Sequence, residues 1–592
     1  MTESRVRLGA AALAAAAILI SLWQLLAQEE GVQQVEVRAG DTPVTVFTQE
    51  ASTVGGAAPA STQEGAAPGP TPENAAPGPT PENAAPGPTP ENAAPGPVVL
   101  VAHGFAGSRR LMDAFSLSLA RAGYTVVAFD FLGHGRHPRP LTGNLGEQEG
   151  TPAVLMGQVG EVAEWARTLP GAGEGLAVVG HSMATNILVR FAQEQPGVDA
   201  TVAVSIMAPT AEAESPANLM AVAGEWEPRL VAEGRRVVAL GAGRPPEEVE
   251  AFATYGDPST GSARRLVVAP RVEHVGVLYS RTTLEETVAW LDATFEREGG
   301  GEPAAGRGGW IALFMGALLL LAWPGSRLLP RLPGETGPGG KAPEAGTIGP
   351  ARRAGTDAHT PSRPGGATSN PTRPGGWRRL LLVAGIPAVL TPLLLAPLPT
   401  GFLPVVVGDY LAAHFATYGI LTAGLLWWTA GRPEFSSIRQ AVLPKGSAGP
   451  MILATALAVG WFMVAVAWPI DRFFTSFAPT VERLPLMAAT LLGTLPFFLA
   501  DEWLTRKAAP HRGAYPLTKL LFLGSLALAV ALDFSGLFFL VIIVPVILIF
   551  FVVHGLLSRW AFHRTGSPVP AALANAVAFA WALGVTFPMY AG

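Results

Sequence analysis

Residues Ala177 to Asn186 read AVVGHSMATN. An apolar, β-branched run ends at Gly180, Ser182 follows, and Ile187, Leu188, Val189 and Phe191 continue at a spacing that a helix accepts. A strand that turns sharply into a helix through a serine pushes the hydroxyl out of the turn. It also leaves the next residue's N–H facing the space where an oxyanion develops. The usual elbow is G-x-S-x-G; here Ala184 takes the last place, and alanine lacks glycine's tolerance of positive φ.

The same order, strand then turn then helix, recurs on both sides of the elbow. Upstream, Val98 to Ala102 runs into His103-Gly104-Phe105-Ala106-Gly107-Ser108, and Met112, Phe115 and Leu119 then share one helical face. Tyr124 to Phe129 is a second strand, followed by Asp130-Phe131-Leu132-Gly133-His134-Gly135. Downstream strands are expected at Ala200 to Ile206, Ala217 to Ala223 and Arg265 to Ala269. Alternation of this kind predicts an α/β fold: a doubly wound, mostly parallel sheet with helices on both faces and its site at the carboxyl ends of the strands. Gln34 to Gln49 alternates around Ala39-Gly40-Asp41 and predicts a hairpin at the start of this domain. AAPGPTPEN then occurs at Ala66 to Asn74, Ala75 to Asn83 and Ala84 to Asn92. Proline at that density excludes helix and sheet, so residues 50–97 are expected to be a disordered insertion that catalysis does not need.

HGFAGS, FDFLGHG and GHSMA, each after a strand, resemble the α/β-hydrolase superfamily, serine esterases and lipases among them, over residues 33–298. The resemblance implies partners in the order serine, acid, histidine. Glu227, in Glu225-Trp226-Glu227-Pro228 after a strand, falls where the family carries its acid, with Glu225 the fallback; His274, in Val272-Glu273-His274-Val275-Gly276, lies past the last strand. On this reading His274 takes the proton of Ser182 as it attacks and Glu227 holds the imidazole. The N–H groups of Met183 and Phe105 form the oxyanion hole. His103, His134 and His181 are expected to shape loops, Asp130 to form a turn, and Asp257 to be a weaker rival acid. The short connection from Met207 to Ala217 has no room for a helical cap, which predicts an open site, with Phe131 to Met156 available as a loop lid.

The chain has 592 residues, 49% of them hydrophobic, and a mean hydropathy of +0.33, so a large part is expected in a membrane. Cysteine is absent, which excludes disulfides, thiolate metal sites and a cysteine nucleophile. No basic patch carries interleaved aromatics, so nucleic acid is not an expected partner, and no cofactor or metal is implied. Arg5 and Arg7 precede an apolar run from Leu8 to Ala27, read as a retained anchor within residues 1–32. A further span is expected in residues 308–329 and a disordered cytoplasmic linker in residues 330–376. Residues 377–592 carry seven candidate spans, near Leu380 to Leu398, Tyr410 to Ala430, Met451 to Ile470, Leu484 to Trp503, Leu517 to Leu532, Leu537 to Leu557 and Val569 to Tyr590. Arginine and lysine crowd alternate connections, which predicts nine spans with the N-terminus inside and the hydrolase-like domain outside the cytoplasmic membrane. His414 and His554 are the ionisable groups expected deep in this region. The expected function is a membrane-anchored serine hydrolase acting on ester-type acyl bonds of an acyl-ester or lipid-like substrate, in contact with membrane lipids. The alternative is a multi-pass transporter or envelope protein with a catalytically silent binding domain.

Overall fold

The computed structural model describes residues 3–50, 96–298, 301–333, 375–399 and 401–591. The proline-rich repeats and most of the expected linker lie outside the described residues. The chain divides into two units, Gln24–Gly309, and Met1–Trp23 with Trp310–Gly592.

After helix α1 (Glu3–Ala27), the first unit runs β1 (Val32–Ala39), β2 (Thr42–Gln49), β3 (Gly96–Ala102), α2 (Asp113–Arg121), β4 (Thr125–Phe129), α3 (Thr151–Arg167) and β5 (Ala172–His181). It continues through α4 (Met183–Glu194), β6 (Ala200–Val204), β7 (Leu219–Gly224), α5 (Pro228–Ala242), β8 (Thr254–Tyr255), β9 (Arg264–Ala269) and α6 (Arg281–Thr294). The strands form one sheet in the order β1-β2-β4-β3-β5-β6-β7-β9-β8. Strands β4, β3, β5, β6, β7 and β9 are parallel, and the β1–β2 hairpin and β8 add antiparallel edges. Every residue of β3 is buried, as expected of a central strand covered on both faces and visible in its unbroken Val-Val-Leu-Val run. Apolar side chains of α2 and α6 pack on one face, Phe115 and Leu119 of the predicted stripe among them, with Met112 just before α2; those of α4 and α5 pack on the other.

Strand ends differ from the sequence reading by one or two residues, and one strand, β8, is absent from it. Strand β6 stops at Val204, before Ile206, because Ser205 turns the chain with φ of 52°. The two-residue strand β8 carries too short a pattern to be read in sequence. The chain winds from β3 outward to β4 and then returns to the other side of β3 for β5. At that reversal the connections after β3 and β5 leave in opposite directions, the place where open α/β sheets carry their sites.

In the second unit the helices α7 (Arg307–Gly325), α8 (Gly375–Leu395), α9 (Gly408–Thr429), α10 (Phe435–Val442), α11 (Ala448–Phe462) and α12 (Trp468–Phe473) are followed by α13 (Leu484–Trp503), α14 (Ala514–Leu532), α15 (Phe534–Thr565) and α16 (Val569–Thr586). Among the described residues, eight helical stretches are long and apolar enough to cross a membrane: Glu3–Ala27, Arg307–Leu328, Gly376–Leu395, Ala448–Phe473, Val481–Ala508, Ala514–Leu532, Phe534–Thr565 and Val569–Thr586. The chain is a multi-pass membrane protein. The segment expected as a ninth span, Tyr410 to Ala430, is helical as α9 but is not one of the eight. Asp409, Tyr410, His414 and Tyr418 make it more polar than its neighbours, and all four are buried in the unit. At Gly419 and Gly493 a side chain would run into the backbone of the facing helix, so glycine there lets α9 and α13 approach closely.

Candidate active site

Ser182 stands between β5 and α4 with φ of 55° and ψ of −117°, a conformation that L-residues rarely adopt. The strain sits on the serine and not on Ala184, which lies inside α4 at negative φ; alanine at the last elbow position therefore carries no backbone penalty. The turn is held by main-chain bonds. Ser182 N–H donates to Val204 O at 2.8 Å, and the Thr185 N–H and hydroxyl both reach Ser182 O, at 2.9 and 2.7 Å.

The structure brings together the three side chains expected to act. His274 Nε2 lies 3.0 Å from Ser182 Oγ, and His274 Nδ1 lies 2.6 Å from Glu227 Oε1. Glu227 is buried. Its Oε2 accepts the Gly224 N–H at 2.8 Å and the Ser205 hydroxyl at 2.8 Å. Burial alone raises a carboxyl pKa, but the bonds from His274, Gly224 and Ser205 outweigh it and hold Glu227 below its ordinary value. An ionised acceptor makes Nδ1 the protonated nitrogen of the neutral ring and leaves Nε2 with its lone pair toward the serine.

The fallback acid Glu225 is directed elsewhere, accepting the Arg271 N–H at 2.7 Å. Asp257 is exposed and caps its own turn through the Ser259 N–H and hydroxyl. Met183 opens α4, where a helix leaves its first N–H groups without intrahelical partners. Phe105 lies in the turn after β3, the next residue, Ala106, has φ of 56°, and a side chain at Gly104 would press on Ser182 Cβ. No helix interrupts the connection from β6 to β7, and the His274 side chain is 42% exposed, so the site is open. The stretch considered as a lid is helical from Thr151 onward, and Glu149 and Gln148 are tied to α4 through Arg190 and Asn186.

Three residues take part in ways the sequence did not reveal. Ser205, turned to positive φ, supports the acid. Thr185 ties the elbow to Met207. His181, expected only to shape a loop, sits against His274 with ring centroids 4.7 Å apart, and its Nε2 is 2.9 Å from His274 O. A carbonyl only accepts, so Nε2 carries the proton. Burial, then the neighbouring His274, pushes the His181 pKa down to about 3, so it is neutral at physiological pH. His103 behaves as expected, its Nε2 accepting the Phe131 N–H at 3.1 Å, and His134 Nδ1 donates to Leu132 O at 2.9 Å.

Asp130 is more than a turn residue. It is fully buried, ion-pairs with Arg109, and accepts the N–H groups of Arg109 and Arg136. Burial would raise its pKa, but Arg109 and the hydrogen bonds depress it. A depressed native pKa gives stability that is present above the unfolded pKa and disappears as pH falls through the native value. Asp130→Asn leaves the buried Arg109 guanidinium with only the half-exposed Glu36 carboxylate, 3.5 Å away, and is expected to cost about 3 kcal/mol. Thermal unfolding of the full-length protein in detergent should show this loss at pH 7 and a flatter acid limb than wild type.

Residues 97–239 match the family model described as alpha/beta hydrolase fold. The Gln24–Gly309 unit has the α/β-hydrolase fold. Similar solved structures include an epoxide hydrolase from Vigna radiata (17% identity, 30% of this chain, 41% of that one, TM-score 0.19). Others are an epoxide hydrolase from an endophytic Streptomyces (20%, 30%, 38%, 0.19) and a laboratory-evolved potato epoxide hydrolase (19%, 30%, 40%, 0.19). The chain thus spans about two fifths of the length of these structures. No curated protein matches it.

Of the two histidines expected deep in the membrane unit, His414 Nε2 meets Ser525 Oγ at 3.1 Å and His554 Nδ1 meets Asn575 Oδ1 at 3.2 Å. His554 lines a mostly apolar cavity that His414 does not reach.

Proposed function

We propose that this α/β-hydrolase domain is a serine hydrolase that cleaves ester-type acyl bonds, with Ser182 as nucleophile, His274 as base and Glu227 as the supporting acid. One observation carries this reading: Ser182 Oγ, His274 and a buried carboxylate form a continuous hydrogen-bonded chain at the sheet's topological switch. In the reaction His274 Nε2 removes the hydroxyl proton as Oγ attacks the acyl carbon. The oxyanion that forms is met by the N–H groups of Met183 and Phe105, and the protonated ring then delivers its proton to the leaving oxygen. Water attacks the acyl-enzyme by the same route and frees the serine.

Epoxide opening, the activity named for the structures above, fits this nucleophile poorly. A serine oxygen that opens an epoxide forms an ether, which water does not cleave under these conditions, whereas an acyl-serine is an ester and turns over. The apolar residues flanking the site support an acyl chain as ligand: Trp226 is 63% exposed, Met207 46% and Val275 37%. Thioesters and amides pass through the same intermediate. Arg432, Arg439 and Lys445, then Arg506, Lys507 and Arg512, then Arg559 and Arg564 lie in or beside alternate connections, and this supports a hydrolase domain facing away from the cytoplasm; Lys519 lies inside α14 and is not counted. The orientation counts α9 as a span.

A membrane-impermeant fluorophosphonate applied to spheroplasts carrying the full-length protein tests both claims. Labelling in intact spheroplasts is expected. Labelling only after lysis would reverse the orientation and keep the nucleophile, while no labelling of folded protein would overturn the serine-hydrolase reading. Across p-nitrophenyl esters, kcat/KM is expected to rise about two- to threefold per added methylene from acetate to octanoate, against ~0.8 kcal/mol for complete burial of one methylene. A flat series would exclude an apolar acyl pocket.

A further inference from the structure

We propose that the membrane unit binds an anionic phospholipid in a groove between α13, α14 and α15, with its phosphate on Arg512 and Arg559 and its acyl chains along Leu520, Leu548 and Val552. The groove has a volume of about 720 Å³ and opens where α13 loosens into a π-helical turn, Leu504–Ala508, before α14 begins. Wide turns of this kind interrupt the regular ladder and occur often at functional positions.

The charges in the groove do not balance. Arg506 pairs with Glu502 at 3.0 Å, and Lys519 pairs with Asp501, so both nearby carboxylates are engaged. Arg512 and Arg559 also line the groove and are exposed, and among the described residues neither has a carboxylate within ion-pair distance. Two uncompensated guanidinium groups facing one cavity repel each other and present forked donors that suit a phosphate diester. The paired cations are held in place from beneath, since the Tyr515 ring lies 4.5 Å from Lys519 Nζ and 5.2 Å from the Arg506 guanidinium carbon.

The lining changes character along its length. Leu520 is 63% exposed, Val552 55% and Leu548 43%, on helices that are themselves apolar enough to span a membrane. A soluble phosphate would use only the basic end. A phospholipid satisfies both ends, and basic pockets between spanning helices are suited to anionic head groups.

The experiment uses full-length protein purified in zwitterionic detergent, titrated with phosphatidylglycerol or phosphatidylcholine carrying eight-carbon chains. Binding is read by thermal unfolding and by the mass of the intact complex. Saturable binding of one phosphatidylglycerol per chain, with no comparable binding of phosphatidylcholine, is the expected result. The double variant R512Q/R559Q is expected to weaken phosphatidylglycerol binding about thirtyfold, equivalent to ~1 kcal/mol per basic residue. The charge-preserving R512K/R559K should keep most of the affinity and shows that any loss does not come from misfolding. Equal binding of the two lipids, or an unchanged affinity in R512Q/R559Q, overturns the proposal. Protection by inorganic phosphate or glycerol phosphate at the concentration that suffices for phosphatidylglycerol would identify a soluble anion as the occupant and overturn the lipid assignment.

Discussion

Ser182→Ala is expected to lower kcat for ester hydrolysis by about 10⁶, the scale on which serine hydrolases lose activity when the nucleophile is removed. The elbow itself should survive. Its bonds run through the main chain of Ser182, to Val204 O and from Thr185, and the hydroxyl contributes only its contact with His274. Alanine at φ of 55° is strained about as much as serine, so the folded state keeps the same local cost. The measurement is the steady-state rate of the full-length variant beside its thermal unfolding midpoint. An unchanged midpoint with activity within tenfold of wild type would place the nucleophile elsewhere.

Glu227→Gln is expected to reduce kcat by about 10⁴, the scale set by amide replacement of the acid in other triads. The surroundings dictate why. The Gly224 N–H is a fixed backbone donor and must face the amide oxygen, which turns the new NH₂ group toward His274 Nδ1. Nδ1 then becomes the acceptor, the ring proton moves to Nε2, and Nε2 no longer takes the proton of Ser182. Shape is conserved, so KM should change little. Glu225→Gln is the matched control: its carboxylate meets the Arg271 N–H on the surface, and the variant should retain wild-type kcat. Comparable losses in the two variants would refute the assignment of Glu227.

Much of this was legible in local pattern. The parallel strands could be read because each is an apolar run ended by a turn residue, and the elbow because the strand, serine and helix signals are contiguous. The hairpin and its turn at Gly40 followed from alternation, and β1 pairs with β2 in the register that turn sets. Ser182 and His274 stand out because each follows a strand end, whereas Glu225 and Glu227 follow the same strand end and position alone does not choose between them.

What pattern could not supply is anything that depends on residues distant in sequence meeting in space. Ser205 carries no mark of a partner for Glu227, 22 residues away; the contact exists because β6 and β7 are neighbours and both end at the same edge. His181 looked like a loop former, yet the fold sets its ring against His274. Asp130 looked like a turn residue, and only the packing of the segment after β3 against the end of β4 makes it the counter-ion of a buried arginine. The α9 helix has the length of a span but carries polar side chains that the tertiary structure buries among its neighbours. Sequence by itself determined the main strands and helices, their order, the serine and histidine proposed to act and the pair of glutamates that could support them, because these rest on short-range periodicity and on which residue types can do the chemistry. The tertiary structure decided which acid faces the imidazole, what holds that acid ionised, and which arginines are left without a counter-charge, because hydrogen bonds and ion pairs act over a few ångströms and only folding sets those distances.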